Sequence, residues 1–146
     1  MSKHNLMRYG LSLLCILLII SLVACGTVAP DAKIDFGSSL IYTEEDMRDA
    51  VGRIKQQFAL MDGCVLHSLS YSSDDCNSAE NIAWMNDLRG SDDGDAEFTQ
   101  CIMFESSFRS PKNGGGAWEA DEEYTWSWWL ARSDGGSWRL MTWGYC

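Results

Sequence analysis

The chain has 146 residues, with 21 acidic against 11 basic side chains and a formal net charge of −10. That balance argues against nucleic acid as a partner, because phosphates would repel it, and against a basic patch lying on anionic lipid. The length suits one compact domain with short appendages.

The N-terminus reads as an address. Lys3 and Arg8 form a short positive segment, and residues 11–22 are almost wholly apolar. A bilayer-spanning helix needs roughly 20 apolar residues, so this run is too short to cross and matches the core of a secretory signal. Leu22, Val23, Ala24 and Cys25 follow, with Gly26 after them, and this stretch resembles the bacterial lipobox. The resemblance implies transfer of diacylglycerol to the Cys25 thiol and cleavage between Ala24 and Cys25. Two acyl chains hold a protein stably to a membrane where one does not. The expectation is a lipoprotein on the extracytoplasmic face of the cell membrane, with residues 1–24 as signal peptide. Losing that leader removes two basic residues and takes the charge to −12.

Residues 25–40 lack periodicity and contain Gly, Thr, Pro and Ser, so they read as a lipidated cysteine and flexible tether. Residues 41–146 read as a single domain. Residues 43–61 form the clearest helix: Thr43 caps it, Asp46 takes the capping-box position, and Met47, Ala50, Val51, Ile54 and Phe58 recur on one stripe. Gly63 is a natural stop. Residues 64–71 alternate as a strand, with Val65, His67, Leu69 and Tyr71 on one side. Residues 77–89 read as a second helix capped by Asn77. Strands follow at about residues 96–108, 123–132 and 137–145, joined by Gly-rich turns. The order predicts an α+β fold: helix, strand, helix and a three-stranded antiparallel meander, with the helices packed on one face of a curved sheet.

Cys64, Cys76, Cys101 and Cys146 remain after Cys15 leaves with the signal and Cys25 takes lipid. Four cysteines in a small exported domain imply two disulfides, with three pairings open. Their wide spacing argues against zinc or a redox motif.

Trp126-Ser127-Trp128, Arg132, Gly136-Ser137-Trp138 and the ending Trp143-Gly144-Tyr145 carry a family likeness, to which Tyr42-Thr43-Glu44-Glu45-Asp46, Gly63-Cys64 and Tyr71 add. Together they resemble small cell-envelope lipoproteins of Gram-positive bacteria. The resemblance implies a cystatin-like or NTF2-like domain, a helix cradled by a curved antiparallel sheet, and brings no activity with it. Cys146 departs from the pattern.

Tyr124, Trp126, Trp128 and Leu130 share one face of the middle meander strand, joined by Phe98, Ile102, Phe104, Trp138 and Leu140 as the expected core. The other face would carry Met103, Trp129, Met141, Trp143 and Tyr145. Contiguous exposed apolar surface marks interaction sites, so these five are the candidate binding face for a protein or carbohydrate partner. No catalytic residue is expected. His67 is the one histidine after the leader, and three residues from Cys64 on one strand it points away from that thiol. Asp92, Asp93, Asp95 and Glu97 lack EF-hand spacing and read as a solvated loop, so no metal or other cofactor is expected. The leading expectation is a non-enzymatic, membrane-anchored binding or accessory domain. The alternative is an NTF2-like pocket that binds a small molecule or catalyses, which requires a buried acid or His67 in a cavity of roughly 300 Å³ or more.

Overall fold

A computed structural model describes residues 25–90 and 96–145. The leader, most of the acidic loop and Cys146 lie outside the described residues. The elements are β1 (Thr27–Asp35), α1 (Glu44–Phe58), β2 (Val65–Tyr71), α2 (Ala79–Asp87), β3 (Gln100–Arg109), β4 (Glu123–Arg132) and β5 (Arg139–Gly144), with a 3-10 turn over Asp74–Asn77. They form an α+β fold around one five-stranded mixed sheet in the order β1-β2-β3-β4-β5. β1 and β2 are parallel, and the remaining pairs are antiparallel.

α1 forms where its sequence requires. Thr43 accepts a hydrogen bond from the Asp46 amide while Asp46 accepts from the Thr43 amide, so two orphan donors of the first turn are satisfied reciprocally. Its stripe of Met47, Ala50, Val51, Ile54 and Phe58 is buried against the sheet. Gly63 turns the chain towards β2 at φ 72°, a region that costs glycine little.

The segment expected as a tether is instead largely strand. Thr27 pairs with Val65 and Ile34 with Leu69, and between them the ladder shifts around Pro30, which has no amide hydrogen to donate. The strand count is therefore five, not four.

Both helices were expected on one face, and they occupy opposite faces. α1 covers Ile102, Phe104, Phe108, Trp128 and Leu130, whereas Met85 of α2 packs with Phe98, Cys101 and Ala131. Alternation explains the split, since Cys101 and Ala131 are one residue out of phase with Ile102 and Leu130. Phe98, expected under α1, belongs to the α2 cluster for this reason.

The cap of helix α2 lies one residue later than expected. Ser78 caps it by accepting from the Asn81 amide. Asn77, freed from that task, accepts from the Cys101 amide at 2.8 Å. Beyond the end of β2 the edge of β3 is open, and it is closed by Ser72, which donates to the Met103 carbonyl, and by Tyr42 from before α1, whose hydroxyl donates to the Cys101 carbonyl at 2.7 Å. Buried main-chain groups that would lack a strand partner are thus paired.

Candidate functional site

A β-bulge decides which aromatic side chains meet. Leu130 pairs with Leu140, but Trp129 pairs with Thr142, so β5 carries one extra residue at Met141. Residues after a bulge change faces. Trp143 consequently lies opposite Trp128, with ring centroids 6.1 Å apart and planes 11° from parallel. Tyr145 sets its ring against Tyr124 and Trp126. The five-residue face expected from alternation therefore does not exist as one surface: Trp143 and Tyr145 turn towards the α1 side, away from Trp129. Met141 packs partly buried against the cluster under α2, and Met103 packs partly buried against the main core.

What the structure assembles is a cleft of about 300 Å³ beside α2, where Trp84, Ser127, Trp129 and Thr142 are bordered by the end of β5 at Trp143, Gly144 and Tyr145, the two aromatic rings of which lie against the other face. Trp84 stands on Trp129 edge to face, with centroids 5.3 Å apart. Both Trp84 and Trp143 are 40% exposed, and Tyr145 is 72% exposed. Trp129, Trp143 and Tyr145 were singled out in the sequence; Trp84, Ser127 and Thr142 were not. A tryptophan next to the buried Met85 on a short helix was the available signal for Trp84. Ser127 and Thr142 add hydroxyls beside the Trp84 and Trp129 rings, and polar groups amid apolar walls are the usual make-up of a ligand site.

The middle of the α1–sheet interface, where an NTF2-like pocket would sit, is filled. Ile54, Phe58, Leu66, Phe104, Phe108 and Trp128 are essentially inaccessible there. The open cleft of about 440 Å³ at the β5 margin of that interface, lined by Arg53, Gln56, Gln57, Leu60, Trp138, Arg139 and Leu140, contains neither an acid nor His67. The Trp128 indole donates to Ser106 Oγ at 2.8 Å, which satisfies the one polar atom this large ring brings inside.

His67 sits at a second bulge. The β2–β3 ladder shifts between Leu66 and Ser68, so Leu66, Leu69 and Tyr71 all face the core. Simple alternation had placed Leu66 opposite Leu69 and Tyr71. His67 Nδ1 lies 2.9 Å from Glu123 Oε1, and Ser107 Oγ donates to the same oxygen at 2.5 Å. The carboxylate stands between hydroxyl and imidazole, so the histidine does not activate the serine as a base would. Partial burial alone raises the Glu123 carboxyl, but the hydrogen bonds from Ser107 and His67 and the nearby charges of His67 and Arg109 hold it below its ordinary value.

Cys64, Cys76 and Cys101 are buried free thiols, so the expected disulfides do not form among the described residues. Cys64 precedes Val65, which lies opposite Arg109 on β3, eight residues from Cys101. At about 3.4 Å per residue that is roughly 27 Å, far beyond the ~7 Å limit between bridged Cα atoms. Pairing of Cys64 with Cys101 is thereby ruled out. Burial raises all three thiols, Cys101 to about 12 with added repulsion from Cys76, so none is a thiolate near neutral pH. Among the described residues no group of three or more His, Cys, Asp or Glu side chains is placed to hold a metal ion. Asp92, Asp93 and Asp95 lie outside the described residues.

No family model, curated protein or solved structure matches the chain. Among the described residues no helix is long and apolar enough to cross a membrane.

Proposed function

We propose that the chain is an extracytoplasmic lipoprotein held to the cell membrane by lipid on Cys25, and that it works as a non-enzymatic binding domain through the cleft between α2 and β5. The observation that carries the binding role is the solvent-facing Trp84, 40% exposed and edge to face on Trp129, in a cleft that Ser127 and Thr142 also line. Flat apolar rings with hydroxyls beside them suit a sugar ring or the apolar side chain of a protein partner. The filled interior, the protonated thiols and the arrangement of Ser107, Glu123 and His67 support a role without catalysis. We read the packing of α1 on β2–β5 as cystatin-like or NTF2-like, elaborated by a parallel strand and a far-side helix.

Two measurements test this. Metabolic labelling with palmitate should mark the wild-type chain and leave Cys25→Ser unlabelled and released from the membrane fraction. Crosslinking in intact cells, followed by mass spectrometry, should give adducts to one class of glycan or protein that Trp84→Ala loses while remaining folded. Identical adducts in both would overturn the assignment of the cleft.

A further inference from the structure

The attachment point has no slack. β1 begins at Thr27, two residues after Cys25. The Gly26 amide donates to the Ala59 carbonyl at 3.1 Å, and Thr27 donates to Cys64 at 2.9 Å. A Cβ at Gly26 would lie 2.1 Å from the Phe58 carbonyl oxygen, so the backbone is pressed against the end of α1 where only glycine fits. Cys25 Sγ itself contacts the Ala59 carbonyl.

Beside that point stands Leu60, 71% exposed. The starts of β1 and β2, the ends of β3 and β5 and the start of β4 share this end of the sheet, as the pairs Thr27–Val65, Val65–Arg109, Arg109–Glu123 and Ser127–Gly144 show. Tyr145 therefore lies at the same end as Leu60. Its ring contacts Tyr124 and Trp126, on the face that α1 covers. Tyrosine and tryptophan concentrate where hydrocarbon meets water.

We propose that, in the anchored protein, this corner rests in the headgroup layer of the bilayer with Leu60 and Tyr145 inserted, so that the turn at residues 133–136 points away from the membrane. The inference rests on the reading of Cys25 as lipidated. Two acyl chains on Cys25 bring the surface within reach, and two residues of chain leave it no other place to stand. Glu119 lies by Tyr124, which contacts Tyr145, and Arg109 at this end is paired with Asp121, so among the described residues no uncompensated basic cluster draws the corner to anionic lipid and the contact is apolar.

The test uses the full chain in its native membrane. A diazirine-bearing residue replaces Leu60, Tyr145 or, at the opposite end, Asp134, and adducts are read by mass spectrometry after irradiation. Lipid adducts at positions 60 and 145, with none above background at 134, are expected. In Leu60→Asp, which alters an exposed position and so keeps the fold, the lipid adduct at 145 should fall. Adducts to water or protein alone at 60 and 145, or equal lipid adducts at all three positions, overturn the orientation. The mass of the N-terminal peptide separates the two readings: a bare Cys25 sinks the anchor itself, whereas a diacylated Cys25 without lipid adducts sinks only the docking.

Discussion

Replacing Asp46 by asparagine should destabilise the domain by about 1.5–3 kcal/mol. The carboxylate does two jobs. Its Oδ2 accepts from the Thr43 amide at 3.0 Å and the Thr43 hydroxyl at 2.7 Å, and its Oδ1 accepts from Arg132 Nη1 at 2.7 Å. Arg132 is only 13% exposed, also donates to Gln100 at 2.6 Å, and lies over the Trp138 ring at 4.2 Å. Trp138 in turn donates to the Asp46 carbonyl at 3.0 Å. The cluster joins the start of α1 to β3, β4 and the turn before β5. Asparagine retains an acceptor for the cap but removes the charge opposite a nearly buried guanidinium. A charge-assisted hydrogen bond contributes about 1.5–3 kcal/mol, which sets the figure. Alanine should cost roughly 0.5–1 kcal/mol more, because the cap weakens as well.

Urea denaturation followed by tryptophan fluorescence measures this, with a midpoint shift of about 1 M expected for 2 kcal/mol. Partial burial raises the Asp46 carboxyl, but hydrogen bonds from Thr43 and Arg132 and the charge of Arg132 bring it below its ordinary value. A lowered carboxyl pKa stabilises the fold above the unfolded value of about 3.9, and that contribution disappears as pH falls through the folded value. The gap between wild type and Asp46→Asn should therefore be full at pH 7 and narrow below pH 4. A coupling energy below about 0.3 kcal/mol in a cycle with Arg132→Gln would refute the ion pair as its source.

Ser106→Ala should cost about 1–3 kcal/mol, because it leaves the Trp128 indole N–H unpaired in the core; thermal unfolding would read this as a drop of roughly 4 °C per kcal/mol. Glu123→Gln should change stability at pH 7 by less than about 1 kcal/mol, since His67 and Glu123 are both more than a third exposed. The small loss should vanish on acidification through the lowered Glu123 value, and a large effect would mean a role beyond a surface pair. Cys64, Cys76 and Cys101 should resist alkylation until denaturant is added, which intact mass after brief iodoacetamide treatment would show; rapid labelling of the native protein would contradict their burial.

Sequence patterns made α1 and β4 plain because each carries its own evidence. Thr43 and Asp46 fix a start, and the apolar stripe has one period throughout. β4 alternates apolar with polar residues from Tyr124 to Trp128 and forms an unbroken ladder with β3. β1 was hidden because TVAPDAKID has neither alternation nor continuous hydrophobicity. Its identity comes from β2, which lends hydrogen bonds along one edge. Face assignments failed wherever the ladder slips. A shift of one residue transfers each later side chain to the other face, and single bulges at His67 and Met141 did so. The cleft was legible in its residue types and not in its assembly, because Trp84 comes from an element whose side of the sheet no local pattern specifies.

The parallel edge strand bears on where this protein can be cut. Production of a lipid-free form invites a start near residue 41, just before the first helix. Such a fragment would discard β1 and strip the outer side of β2, baring the main chain of Val65–Tyr71 to any other strand in solution. Aggregation of that fragment would then report a missing neighbour rather than an unstable protein, and beginning at residue 26 restores the guard.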